Sequence, residues 1–196
     1  MYHKYNTEGI VMRGSERGEA SRSVNIFTKE FGIIYASVQS ARSINSKLRS
    51  STTDFAEGNI TLLRGRNEWK VVGAENRKNL FYTLDSSQKR AIASRVFLLL
   101  SKITGEEKNT DLYEIVSDFL LSLEKSSEQA VDAVERLGVL KILKNQGLVS
   151  ESEEELEQIS KDAKRAIVVI NNSLKAVYES WYNRINGRFQ TQRALG

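Results

Sequence analysis

Two apolar periods divide this chain, and the switch between them constrains the fold more than any other feature. Within Ser21–Thr28, Val24 and Ile26 alternate with polar neighbours, the period of two that marks a half-buried strand. Glu8–Arg13, Ile33–Val38, Phe55–Leu63 and Trp69–Glu75 read as four more strands. Turn signals at Gly18-Glu19-Ala20, Glu30-Phe31-Gly32 and Arg64-Gly65-Arg66-Asn67 separate them, with one longer polar loop from Gln39 to Thr53. Five short antiparallel strands followed by a helix fit an OB-type β-barrel.

From about Ser87 the period becomes 3.6. Ile92, Val96, Leu99, Leu100 and Ile103 share one helical face, and Gly105 stands where that helix should end. Asp111 to Glu114 has the form of a capping box for a second helix with Leu112, Ile115, Val116, Phe119, Leu120 and Leu123 inward. Ser126 with Gln129 is a candidate cap for a third, running through Val131, Val134, Val139, Ile142 and Leu143 to Gly147. A short acidic helix is expected at Glu151–Gln158. A long last helix then follows from near Ser160, with Ile159, Ala163, Ile167, Ile170, Leu174, Val177, Tyr178, Trp181 and Ile185 at helical spacing. The expected class is α+β: an N-terminal five-stranded antiparallel OB-type barrel over residues 1–79, then an all-α helical domain over residues 80–196.

Charge is divided unevenly between these halves. Residues 1–79 hold 13 Lys or Arg against 8 Asp or Glu, whereas residues 80–196 hold 16 against 17. A basic barrel joined to a near-neutral helical part suggests a polyanion-binding module with a partner-binding or structural companion. No apolar run approaches the roughly 20 residues of a membrane span, and the first five residues have no signal-peptide core. With no cysteine, disulfide and thiol chemistry are excluded, which is compatible with a reducing cytoplasm. Catalysis lacks a constellation. His3 is the sole histidine and has no acid at a useful spacing, the Glu151–Glu157 run reads as a solvated helix start, and neither a Walker nor a Rossmann glycine pattern occurs. The chain therefore reads as a non-enzyme with no catalytic residues, no metal site and no cofactor.

Arg42, Lys47 and Arg49 are the main DNA-contact candidates, because cations on a polar loop can follow a phosphate backbone and release its counterions. The alternative is a loop that merely aids solubility. Arg13, Arg17, Arg22, Arg64 and Arg66 extend the patch if the barrel gathers their loops. Trp69, Tyr35 and Phe27 are candidate base-stacking aromatics; core burial suits Phe27 better, and Trp69 is favoured because it follows a polar turn.

These residues also carry a family likeness. Glu8-Gly9-Ile10-Val11, Gly18-Glu19-Ala20 with Arg22, Phe27-Thr28 with Glu30 and Gly32, Ala41-Arg42 with Ser46-Lys47-Leu48-Arg49, Phe55, and Gly65-Arg66 together resemble the bacterial recombination mediator family RecO. Gly147-Leu148 and Gly187-Arg188 with Arg193 continue the likeness more weakly. The chain departs from the family pattern in a basic loop thin in charge, where Gln39-Ser40 precede Ala41, and in lacking the four-cysteine zinc module found in many members.

The resemblance implies binding of single- and double-stranded DNA, annealing of complementary strands, and work with RecR to load RecA on DNA coated by single-strand DNA-binding protein. It also implies a cytoplasmic, nucleoid-associated protein. In that family the helix ending at the equivalent of Gly147 helps form a pocket for the acidic C-terminal tail of single-strand DNA-binding protein. Arg136 matches the family's basic residue there, and Lys141 and Lys144 on the same helix add positive potential. The alternative for all three is a solvent-facing helix cation. The rival reading of the whole chain is a protein-assembly scaffold whose OB barrel keeps only vestigial DNA affinity.

Overall fold

The strand alternation read from the sequence closes into a barrel in the computed structural model, which describes residues 3–17, 21–39, 48–66 and 68–175. Strands β1 (Lys4–Arg17), β2 (Ser21–Thr28), β3 (Gly32–Val38), β4 (Ala56–Arg64) and β5 (Trp69–Asn79) follow the order β1-β2-β3-β5-β4 around it, with the one-turn helix α1 (Leu48–Ser51) between β3 and β4. Inward residues from every strand meet in one core that includes Val11, Ile26, Ile34, Leu62 and Val71. Ile26, Ile34 and Leu62 are fully buried, each contributing about 1.5–3 kcal/mol by leaving water.

One feature of the barrel differs from the expected all-antiparallel pairing: β3 and β5 run parallel, with Ala36 opposite Trp69 and Val38 opposite Val71. The reason is arithmetic. Directions must alternate around an antiparallel ring, and an odd number of strands leaves one seam where they cannot. β1 is also longer than its apolar run suggested. Lys4–Ile10 pairs with β4 while Gly9–Arg17 pairs with β2, and a register shift between Val11 and Arg13 bends the strand from one neighbour to the other.

The chain divides into two compact units, Met1–Ser126 and Ser127–Gly196. In the first, the change from strand to helix falls at Asn79–Leu80, where the Asn79 side chain caps the short helix α2 (Leu80–Thr83). The helices α3 (Ser87–Ile103) and α4 (Thr110–Lys125) then cover the barrel: Phe97 packs on Phe55 and Tyr113 on Phe27, with ring centroids 5.5 and 5.3 Å apart. Ile33 N–H donates to Gly105 O at 3.0 Å, fastening the α3–α4 connection to β3. Lys89 is buried and reconciles its charge with the helices by meeting Asp85 at 3.0 Å and donating to Glu124 O at 2.9 Å.

Two caps differ from expectation. Asn109, not Asp111, caps α4 by accepting from Leu112 N–H at 2.8 Å; an amide oxygen one residue outside the helix serves the first-turn donors better than a carboxylate already inside it. Ser126 ends α4 instead of opening the third helix.

In the second unit, α5 (Val131–Asn145) starts at Ala130 with no side-chain cap. It ends as read, at Gly147 with φ +69°, where Gly147 N–H reaches Lys144 O and Leu148 N–H reaches Leu143 O, the paired bonds of a glycine-terminated helix. The acidic helix α6 (Glu153–Lys161) has a complete capping box between Ser152 and Glu155. Asp162 then breaks the chain and caps a new helix, α7, over residues 163–175 by accepting from Lys164 and Arg165 N–H. That break resets the helical phase, so Ala166 and Ser173 face inward while Ile167 is exposed. The remainder of the expected last helix, from Val177 through Tyr178 and Trp181 to Ile185, lies outside the described residues.

Candidate nucleic-acid interface

On β5, Trp69 and Val71 point into the barrel, so their neighbours Lys70 and Val72 point out. Beside them the tight β4–β5 turn, closed by a Gly65 N–H to Glu68 O bond of 2.9 Å, carries Arg66 at its tip. The result is a groove of about 710 Å³ lined by Arg17, Arg64, Arg66 and Lys70, with one acid, Glu68, and two apolar side chains, Leu63 and Val72. Gln39 also lines it; the chain enters the segment containing Arg42 and Lys47 immediately afterwards.

The groove's cations are not equivalent. Arg17 meets Glu68 at 2.7 Å, and that hydrogen bond holds the Glu68 carboxyl below its ordinary range. Arg64 is paired with Glu106 and lies over the Trp69 ring, 4.6 Å from its centroid. Arg66 and Lys70 make no ion pair among the described residues. A mixed surface of this kind would offer phosphates two cations outside any ion pair among the described residues, and two guanidiniums whose present partners are carboxylates.

Other candidates fall elsewhere. Arg22 is half-buried and paired with Asp54, which also accepts from Gly14 N–H at 2.8 Å, so Arg22 fastens the β1–β2 end to the segment before β4. Arg13 is exposed on the outer face, in a cross-strand row with Asn25 and Tyr35. Arg49 is exposed on α1. Arg42 and Lys47 lie outside the described residues.

Trp69 corrects the choice of stacking aromatic. It is 6% exposed, with Tyr5 and Phe31 against it at centroid distances of 5.6 and 5.1 Å and its Nε1–H donated to Glu106 at 3.0 Å. Its faces and its polar edge are already engaged, so it offers no platform to a base. Phe27 is buried as anticipated, and the ring that stands out on β3 is Tyr35, 54% exposed. Lys70 was overlooked by sequence reasoning, although alternation would have found it: if Val71 faces the core, Lys70 cannot.

In the second unit, Arg136 is half-buried and donates from Nε to Ser160 O at 2.8 Å. Lys141 and Lys144 both reach Glu153, at 3.5 and 3.3 Å. All three therefore tie α5 to α6, at both ends of α6. Among the described residues there is no group of three or more His, Cys, Asp or Glu that could hold a metal ion, and no helix long and apolar enough to cross a membrane.

Fold and groove together define a class: an OB-type barrel with a basic groove beside its β4–β5 hairpin, followed by helices. Within that class, residues 1–75 match the family described as Recombination protein O N terminal. The chain is 31% identical over 129 residues to the DNA repair protein RecO of Gloeothece citriformis, covering 65% of this chain and 45% of that protein. It is 32% identical over 126 residues to the DNA repair protein RecO of a Synechocystis species, covering 63% and 46%, and 28% identical over 127 residues to that of a Nostoc species, covering 64% and 43%. The likeness read from the sequence is upheld: residues 1–75 match the RecO N-terminal family, and the chain is similar to proteins named DNA repair protein RecO. The chain spans about half the length of the curated relatives it matches.

Proposed function

We propose that this chain acts in DNA repair as a recombination mediator of the RecO kind, gripping DNA through its barrel without catalysing a reaction of its own. The observation that carries the reading is the groove lined by Arg17, Arg64, Arg66 and Lys70 on a barrel whose first 75 residues match the RecO N-terminal family. Cations spaced along an open groove neutralise successive phosphates without reading bases. That suits both single- and double-stranded DNA, and a sequence-tolerant grip is what annealing two complementary strands requires. In this reading Arg13, Arg49 and the loop cations Arg42 and Lys47 lengthen the contact, and Tyr35 supplies a stacking ring.

The proposal extends to division of labour: residues 1–79 bind DNA while residues 80–196 engage proteins, with RecR as co-mediator for RecA loading. Arg136, Lys141 and Lys144 contribute to a site for the acidic tail of single-strand DNA-binding protein. Each has a partner on α6, which a carboxylate of that tail would replace or share. The site of action is the cytoplasm, on the nucleoid.

A second reading, the assembly scaffold with vestigial DNA affinity, is favoured by one specific observation: Arg17 and Arg64 are paired with Glu68 and Glu106. Fluorescence anisotropy with labelled single- and double-stranded oligonucleotides across a salt series separates the two. Salt-sensitive, sequence-tolerant binding is expected of the mediator, and absence of binding even at low salt is expected of the scaffold.

A further inference from the structure

The two acids that pair with the groove's arginines come from different parts of the chain and do the same thing. Glu68 precedes β5 and takes Nη1 of Arg17. Glu106, from the α3–α4 connection, takes Nη1 of Arg64 while accepting from the Trp69 indole. Neither pair is needed to hold its segment: the α3–α4 connection is separately fastened by the Ile33–Gly105 bond and by Lys108 on Glu30 at 2.6 Å, and Glu68 O closes the hairpin turn through Gly65. Both pairs are open to solvent, with side chains 53% and 33% exposed in the first and 48% and 43% in the second, so their carboxylates are weakly held and exchangeable.

A guanidinium accepts a phosphate with the same fork it offers a carboxylate. Arg64 has a second contact besides Glu106 that an exchange of partner need not break, since its guanidinium carbon lies 4.6 Å from the Trp69 ring centroid.

We propose that Glu68 and Glu106 are internal competitors for the groove's anion, each holding an arginine that a phosphate must take over. The inference rests on the nucleic-acid reading above and deepens it. A lone phosphate gains one arginine and meets a displaced carboxylate beside it, so it binds poorly. A polyanion that also occupies Arg66 and Lys70, neither of them ion-paired among the described residues, gains contacts that displace no paired carboxylate, and the groove is selective for extended nucleic acid over single phosphates.

The test uses the whole protein and its Glu106→Gln, Glu68→Gln and double variants, titrated with a labelled oligothymidylate over a salt series and with inorganic phosphate as competitor. Glutamine keeps one acceptor oxygen for the Trp69 indole while removing the charge and putting an amide NH2 in place of the second oxygen. Each single variant is expected to bind the oligonucleotide about two- to fivefold more tightly at low salt. Its salt slope should steepen by up to about 0.7, because the displaced acid no longer takes up a cation, and inorganic phosphate should become a better competitor. Unchanged or weaker binding by both single variants, with thermal transitions like the wild type, overturns the inference while leaving the DNA-binding reading intact. If neither wild type nor double variant binds, both readings fall. If only the variants bind, the carboxylates are the block and the inference holds in its strongest form.

Discussion

Replacing Arg66 and Lys70 together by alanine isolates the part of the groove that has no other structural duty. Both are at its lining, and neither makes an ion pair among the described residues, so their loss should change thermal stability by no more than about 0.5 kcal/mol. Each phosphate neutralised on a single strand contributes about −0.7 to the slope of log affinity against log salt. Two cations outside any ion pair would thus account for about 1.4 of the wild-type slope, whatever the paired arginines add. Over a fourfold rise in salt, the wild type should lose about sevenfold more affinity than the double variant. Anisotropy with a labelled oligothymidylate, repeated at several salt concentrations, measures both slopes directly. Equal slopes would mean that phosphates do not run along this groove, and the contact surface would have to be sought elsewhere on the barrel.

Alanine at Arg42, Lys47 and Arg49 together should weaken DNA binding and leave the thermal transition nearly unchanged; normal binding in a titration of the triple variant would remove this segment from the interface. Arg136→Ala should cost about 1 kcal/mol of stability through the lost bond to Ser160 O. If Arg136 also meets a peptide carboxylate, calorimetry with the acidic tail of single-strand DNA-binding protein will show weaker binding, while naked-DNA affinity stays level. Gly32→Ala is expected to destabilise the first unit, since Gly32 has φ +65° and an added methyl would sit 2.5 Å from Gly105 O and 2.9 Å from Glu107 N; a wild-type melting temperature would refute it. The capping box holds the Glu155 carboxyl below its ordinary range, first through the Ser152 backbone N–H. A depressed acid stabilises above its unfolded pKa and loses that contribution as pH falls through the folded value. Glu155→Gln should therefore flatten the acid limb of the stability curve of the second unit without raising stability at neutral pH, as urea titrations at stepped pH would reveal.

Strand identity was legible because a barrel wall is apolar on one side only, so Val24 and Ile26 betray β2 without any knowledge of their neighbours. Pairing direction was less so: the parallel β3–β5 seam follows from the number of strands in the ring and from no residue in either strand. The placing of Trp69 failed for a different reason. A position after a polar turn suggests exposure, yet parity with Val71 decides the matter, since residues two apart on a strand share a face. Helix ends were readable where the backbone itself demands a residue, as at Gly147. They were misread where several polar side chains compete for the same donors, as around Asn109 and Asp111. Glu106 could not have been linked to the groove by any local pattern, because 42 residues separate it from Arg64 and only the docking of the α3–α4 connection brings them together.

Strand parity also accounts for the groove's mixture of cations that cover the core and cations that face solvent. On β4, Ile60 and Leu62 face the core, so Arg64 has inward parity too and escapes burial only because the strand ends there, at the barrel's mouth. Register sets it directly opposite Trp69, and the guanidinium closes over the indole as a lid while its donors remain at the solvent edge. Arg66, beyond the strand, and Lys70, of outward parity, carry no such duty. An alanine at Arg64 would therefore uncover Trp69 as well as remove a charge, and a fall in DNA affinity would have two causes. The pair Arg66 and Lys70 has one, which makes their salt slope, rather than the affinity of an Arg64 variant, the measurement that assigns phosphate contact to this groove.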